Sequence, residues 1–131
     1  MTNERQILLN ELSQGRRPLQ EGVVWFESLS IEEQRQVIRE LAYYILQAKA
    51  TQDEVEASIS LAGVKSTATP AVLLSRGLLR EQLAKVGNLP ESEMGKSFRI
   101  LISLLSVADA RRSRIECANG CQHPWHNLDA H

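Results

Sequence analysis

Apolar residues recur along this chain mostly at intervals of three and four, the spacing that lays a stripe down one side of an α-helix. Gln6 to Ser13 reads as a short first helix, ended by Gly15. Pro18 suits a first helical position, and Leu19, Val23 and Phe26 mark one face of a second helix with Trp25 beside it. Ser30 and Glu33 form a capping-box pair, in which hydroxyl and carboxylate satisfy backbone N–H groups at a helix start. The helix opened by that pair is predicted to turn Val37, Ile38, Leu41, Ile45 and Leu46 inward, leaving Glu32, Glu33, Gln36, Arg39 and Glu40 in water. Of Tyr43 and Tyr44, on adjacent helix faces, one is expected in the core and the other at the surface.

Thr51 and Glu54 repeat the capping box and open a short helix that Gly63 ends. Val64 to Thr69 is the one obvious loop. Thr69-Pro70 then gives an N-cap and first-turn signature for a helix through Val86, stopped by Gly87. Pro90, Glu91 and Glu93 start the last long helix, with acidic residues where the macrodipole favours them. Phe98, Ile100, Leu101, Ile102, Leu104, Leu105 and Val107 leave that helix only a thin polar stripe of Arg99, Ser103, Ser106 and Ala110. A helix apolar over most of its circumference must be wrapped by others.

No segment alternates with period two, and no hairpin dipeptide joins two β-rich runs. The fold class expected is all-α: a single compact bundle of about five helices with a short irregular Cys/His tail. One helical domain is expected over residues 1–131, with the tail at 117–131.

Composition narrows the field. With 131 residues, 43% apolar and 24% charged, the chain can bury a core without staples. A formal net charge of −1 provides no overall positive field, which argues against nucleic acid as a partner. The longest mainly apolar stretch, 98–108, is about half of what a bilayer requires, so no membrane span is expected. The opening MTNERQILLNEL lacks the basic start and apolar run of a secretory signal, and a cytoplasmic protein is expected.

The candidate chemistry is concentrated at one place. All 3 histidines and both cysteines fall between Cys117 and His131. Cys117, Cys121, His123 and His126 form a C-x3-C-x-H-x2-H pattern, two thiols and two imidazoles that suit tetrahedral zinc. Asn119-Gly120 is a turn dipeptide between the cysteines, and Pro124 keeps His123 out of the helical region. The spacing is tight: common zinc fingers put about a dozen residues between the two pairs, whereas here one residue does so. A looser arrangement takes three of these ligands and adds Asp109, Asp129, His131, a water or a second subunit's residue. The plainer account has both cysteines as small core residues, with the histidines and Trp125 packing the tail onto the bundle. If metal binds, a structural role is expected, since closed two-cysteine sets are mostly structural. A redox role for Cys117-x3-Cys121 is disfavoured, since the spacing is not the C-x-x-C of thiol oxidoreductases, and c-type haem attachment fails because Gln122 follows the second cysteine.

Arg111, Arg112 and Arg114 precede Cys117. Cations at a helix C-terminus complement its dipole, and Asp109 can pair with Arg112 one turn on. Alternatively the arginines stabilise a Cys117 thiolate or hold a phosphate, and Asp109 orients a metal-bound histidine. The string Gly63-Val64-Lys65-Ser66-Thr67 lacks the glycines and the preceding strand of a Walker-type phosphate loop. No Ser/His/Asp arrangement is readable.

The string LNELSQGRRPLQEGVVWFESLSIEEQRQVIRELAYYILQA, then TPAVLLSRG, then LPESEMGKSFRILISLLSVADARR and a Cys/His/Trp tail, resembles a family of small helical bacterial proteins of unknown function. The resemblance covers nearly the whole chain. It implies a terminal C-x3-C-x-H-x-W-H motif, matched by Cys117, Cys121, His123, Trp125 and His126, with Asp109, Arg111 and Arg112 as further pattern. Pro124 stands where an aromatic is more usual. A bacterial cytoplasmic source is implied, and no activity is.

Three functions therefore stand as expectations. The first is a non-enzymatic helical protein whose zinc tail locks against the bundle and which binds a protein partner, or its own copy, in a regulatory role. The second is a metal- or thiol-dependent enzyme centred on the tail. The third, nucleic-acid binding through the arginines, has the net charge against it.

Overall fold

The computed structural model describes residues 2–118, with side chains over 4–111. In chain order it contains α1 (Thr2–Ser13), α2 (Leu19–Glu27), α3 (Ile31–Gln47), α4 (Gln52–Leu61), α5 (Thr69–Leu74), α6 (Leu79–Val86), a 3₁₀ turn (Glu91–Glu93) and α7 (Met94–Ala118). No strand occurs among the described residues. All-α is therefore the class, with seven helices among the described residues where about five were expected.

Both capping boxes form. The Glu33 backbone N–H donates to Ser30 Oγ at 3.2 Å, and the Ser30 N–H donates back to Glu33 Oε1 at 3.4 Å. At α4 the Glu54 N–H donates to Thr51 Oγ1 at 3.3 Å and the Thr51 N–H to Glu54 Oε1 at 2.9 Å. Elsewhere the starts are shifted by a residue. Pro18 is the N-cap of α2 rather than its first residue, and Ala68 rather than Thr69 caps α5, with no side-chain hydrogen bond.

The helix expected from Thr69 to Val86 is two helices. Gly77 takes φ +54° between them, a left-handed conformation that stops helical propagation. Burial explains why the break is useful. Leu74 and Leu83 are both buried, yet nine residues at about 100° each would place them on opposite sides of one straight helix. Breaking the chain lets each face the core.

Helix α7 is the central post. Met94, Phe98, Ile100, Leu101 and Leu104 are fully buried, and α1 to α5 all pack against it. Phe98 stacks on Phe26 with ring centroids 4.4 Å apart, and Trp25 lies 6.3 Å away at a tilt. Such wrapping consumes part of the expected polar stripe: Ser103 is buried, and Arg99 and Ser106 are half-buried. On α3, Val37, Ile38, Leu41 and Ile45 face inward as expected. Leu46 instead is exposed and lines an open groove of about 610 Å³ between α3 and α6, with Tyr43 and Leu83. Of the tyrosine pair, Tyr44 packs on the core and Tyr43 is exposed.

Helices α3 and α7 run in the same direction. Gln34, near the start of α3, donates to the carbonyl of Phe26, whose ring stacks on Phe98 near the start of α7. At the other end Arg111 meets the carbonyls that close α3.

Candidate functional site

The last turn of α7 includes the backbone of Cys117, the first of the four expected zinc ligands. The other three, Cys121, His123 and His126, lie outside the described residues, as do Trp125, Asp129 and His131. The side chains of Cys117, Arg112 and Arg114 lie outside them as well. Among the described residues no group of three or more His, Cys, Asp or Glu is placed to hold a metal ion. Asp109, the expected orienting residue, is half-buried on α7 and already engaged in an interaction.

The attachment point of the segment is well built. Arg111 donates from Nε to Glu54 Oε2 at 2.7 Å. Its terminal nitrogen Nη2 reaches the Ala48 carbonyl at 3.2 Å and the Lys49 carbonyl at 3.0 Å. Those two carbonyls belong to the end of α3, where the chain leaves the helix and no further N–H is available to them. One guanidinium thus caps α3, pairs with the capping-box carboxylate of α4 and fastens α7 to both. Between the two helices Lys49 adopts φ +56°, the left-handed conformation that lets α4 start immediately.

Glu54 is buried beneath this contact, with a side chain 9% exposed. Burial by itself would raise its carboxyl pKa. The Arg111 hydrogen bond, the Thr51 backbone N–H, the Arg111 charge and the Thr51 hydroxyl together outweigh that effect and hold it below the usual value.

The sequence marks the Thr51/Glu54 box but suggests a helix-dipole role or a phosphate contact for Arg111. Its donors instead serve Glu54 and two backbone carbonyls. No local signal announces this, because the partners are separated by 57 residues in sequence. Beyond Arg111, α7 continues for seven residues, about 10 Å at the helical rise. The backbone of Cys117 therefore lies on the same helix, six residues beyond the Arg111 contact.

A second arginine performs a similar task at the far end. Arg35 donates from Nη1 to the carbonyls of Gly87 at 2.6 Å and Leu89 at 2.9 Å, closing the end of α6. Among the described residues, no helix is long and apolar enough to cross a membrane.

A family model described as a family of unknown function, DUF5958, matches residues 4–128. The chain belongs to this family. The DUF5958 match runs from within α1 to residue 128, so Cys117, Cys121, His123 and His126 fall inside the matched span, whereas Asp129 and His131 lie beyond it. No curated protein and no solved structure shows significant similarity to the chain.

Proposed function

We propose that this DUF5958 protein is a small bacterial cytoplasmic protein whose 117–131 segment binds one zinc ion in a structural role. Its bundle would then present the metal-bound segment to a protein partner or a second copy of the chain. The observation that carries this reading is the crowding of every histidine and cysteine into the stretch that begins at the end of α7.

The donor set fits the metal. Cys117, Cys121, His123 and His126 provide two thiolates and two imidazoles, the borderline-soft ligands zinc prefers. In this reading the helix held by Arg111 would carry the first ligand, Cys117. Metal binding would then contribute directly to ordering the residues beyond Ala118, because ligand deprotonation and chain ordering occur together. The remaining donors, Asp129 and His131, would complete the shell if one of the four points away.

Elemental mass spectrometry on untagged protein tests this reading, beside the Cys117→Ser/Cys121→Ser variant. About one zinc per chain is expected in the parent and none in the variant. Absence of stoichiometric metal from both would overturn the proposal.

A further inference from the structure

A second site, independent of the tail, lies where the α4–α5 loop meets the first turns of α7. A pocket of about 470 Å³ opens there, lined by Gly63, Val64, Lys65, Thr67, Ala68, Lys96 and Arg99. Three of its side chains are cationic and none is acidic. In a chain of net charge −1, three like charges brought together from two elements repel one another and favour an anionic occupant.

The charge balance can be followed residue by residue. Lys96 is partly neutralised by Glu93, whose Oε2 stands 3.7 Å from Nζ outside the pocket lining. Arg99 makes a long hydrogen bond of 3.5 Å from Nη2 to the neutral Gln20 side chain, which leaves its charge uncompensated. Lys65 forms no ion pair among the described residues. The surplus is close to two positive charges, matching a phosphate monoester of about −1.5 to −2 at neutral pH.

The backbone provides more donors. Gly63 takes φ +70° at the end of α4 and swings the chain into the loop. Beyond it, the backbone N–H groups of Lys65, Ser66 and Thr67 donate to no protein acceptor among the described residues. Consecutive unpaired N–H groups beside cationic side chains and hydroxyls are a recurrent way of holding phosphate oxygens. This is not a Walker-type loop, since the required glycines and preceding strand are missing.

We infer that the pocket formed by Lys65, Thr67, Lys96 and Arg99 binds the phosphate group of a small phosphorylated molecule. Arg99 offers a planar fork to two phosphate oxygens, and Lys65 and Lys96 act as point charges on either side. The volume leaves room for an organic moiety beyond the phosphate.

The test is a titration of the ¹⁵N-labelled full chain at constant ionic strength with inorganic phosphate, a sugar phosphate and the unphosphorylated sugar. Saturable amide shifts confined to 63–68 and 96–99 are expected from both phosphates and none from the sugar. Arg99→Gln should weaken binding about tenfold, as expected for a charged hydrogen bond. Lys65→Gln should weaken it several-fold, whereas Arg80→Gln on α6 should leave it unchanged. Unsaturable shifts spread equally over Arg80 and Lys85 would overturn the inference. So would retention of full affinity by the folded Arg99→Gln variant. Association with vesicles containing phosphatidic acid, without response to the soluble phosphates, would overturn the small-molecule ligand.

Discussion

Arg111 and Glu54 meet at 2.7 Å across 57 residues of sequence, and around this contact the end of α3, the start of α4 and the body of α7 are joined. The same guanidinium closes α3 by way of the Ala48 and Lys49 carbonyls, so the pair cannot be treated as a simple surface ion pair.

Removing the cation leaves a buried carboxylate and two carbonyls short of donors. Arg111→Met should therefore lower stability by about 2 kcal/mol in urea unfolding. Arg111→Lys should recover only part of this, because an ammonium cannot span the carboxylate and both carbonyls as the fork does. An Arg111→Met protein with an unchanged urea midpoint would show that the contact contributes little.

The Glu54 carboxyl is held below its usual pKa in the folded protein, so the unfolded chain takes up its proton first as pH falls. The stabilisation is complete at neutral pH and fades as acid drives the pH through the depressed folded value. Glu54→Gln should be less stable than the parent at about pH 7, and the gap should narrow towards about pH 3. Urea midpoints at the two pH values check this, and parallel acid limbs would count against it.

Lys49 is the one described non-glycine residue with positive φ, at 56°. Lys49→Gly should relieve the Cβ crowding while keeping the carbonyl that Arg111 uses, raising stability by about 0.5–1 kcal/mol. Thermal unfolding reads the effect directly, and a lower midpoint would contradict it.

Two glycines should respond oppositely to alanine. Gly77 has φ +54°, so Gly77→Ala should cost about 1 kcal/mol and disturb the α5–α6 break. Gly95 is helical with nothing within 4 Å of where a Cβ would lie, and Gly95→Ala should gain about 0.5–1 kcal/mol. Equal effects from the two would mean that the backbone at Gly77 is not the restraint described.

Metal removal gives an optical readout. The chain has 2 tryptophans, so Trp25→Phe leaves Trp125 as the sole tryptophan emitter. If zinc orders the segment, a chelator should shift the emission of that variant to the red and increase quenching by acrylamide, with zinc restoring both. An emission spectrum indifferent to chelator and zinc would speak against the structural role.

Much of the architecture is legible in the sequence because its signals are local. Ser30 with Glu33 and Thr51 with Glu54 identify helix starts through hydrogen bonds that span only three residues. The apolar girth of 98–107 announces a wrapped helix, and α7 is one. The differences arise where tertiary context decides. An isolated glycine in a helical pattern can be tolerated, and only the need to bury Leu74 and Leu83 together makes Gly77 a break. Ser103 is small enough to enter a crowded interface that periodicity assigns to water. The Arg111 clasp needs the folded distance between α4 and α7, which no window of sequence contains. For the candidate site, composition locates the donors by residue type alone, and the structure adds how their first member is carried. The basic pocket is hidden for the converse reason: Lys65 and Arg99 are ordinary residues until the α4–α5 loop is laid against α7.

The place of α7 in chain order has a consequence for biosynthesis. The helix against which α1 to α5 bury their apolar faces is translated after all of them. Until Met94 to Ala108 emerges from the ribosome, Phe26, Leu41, Ile45 and Leu74 lack the surface that covers them. The nascent chain would therefore remain loosely collapsed and open to chaperones, then close in one late cooperative step when the post arrives.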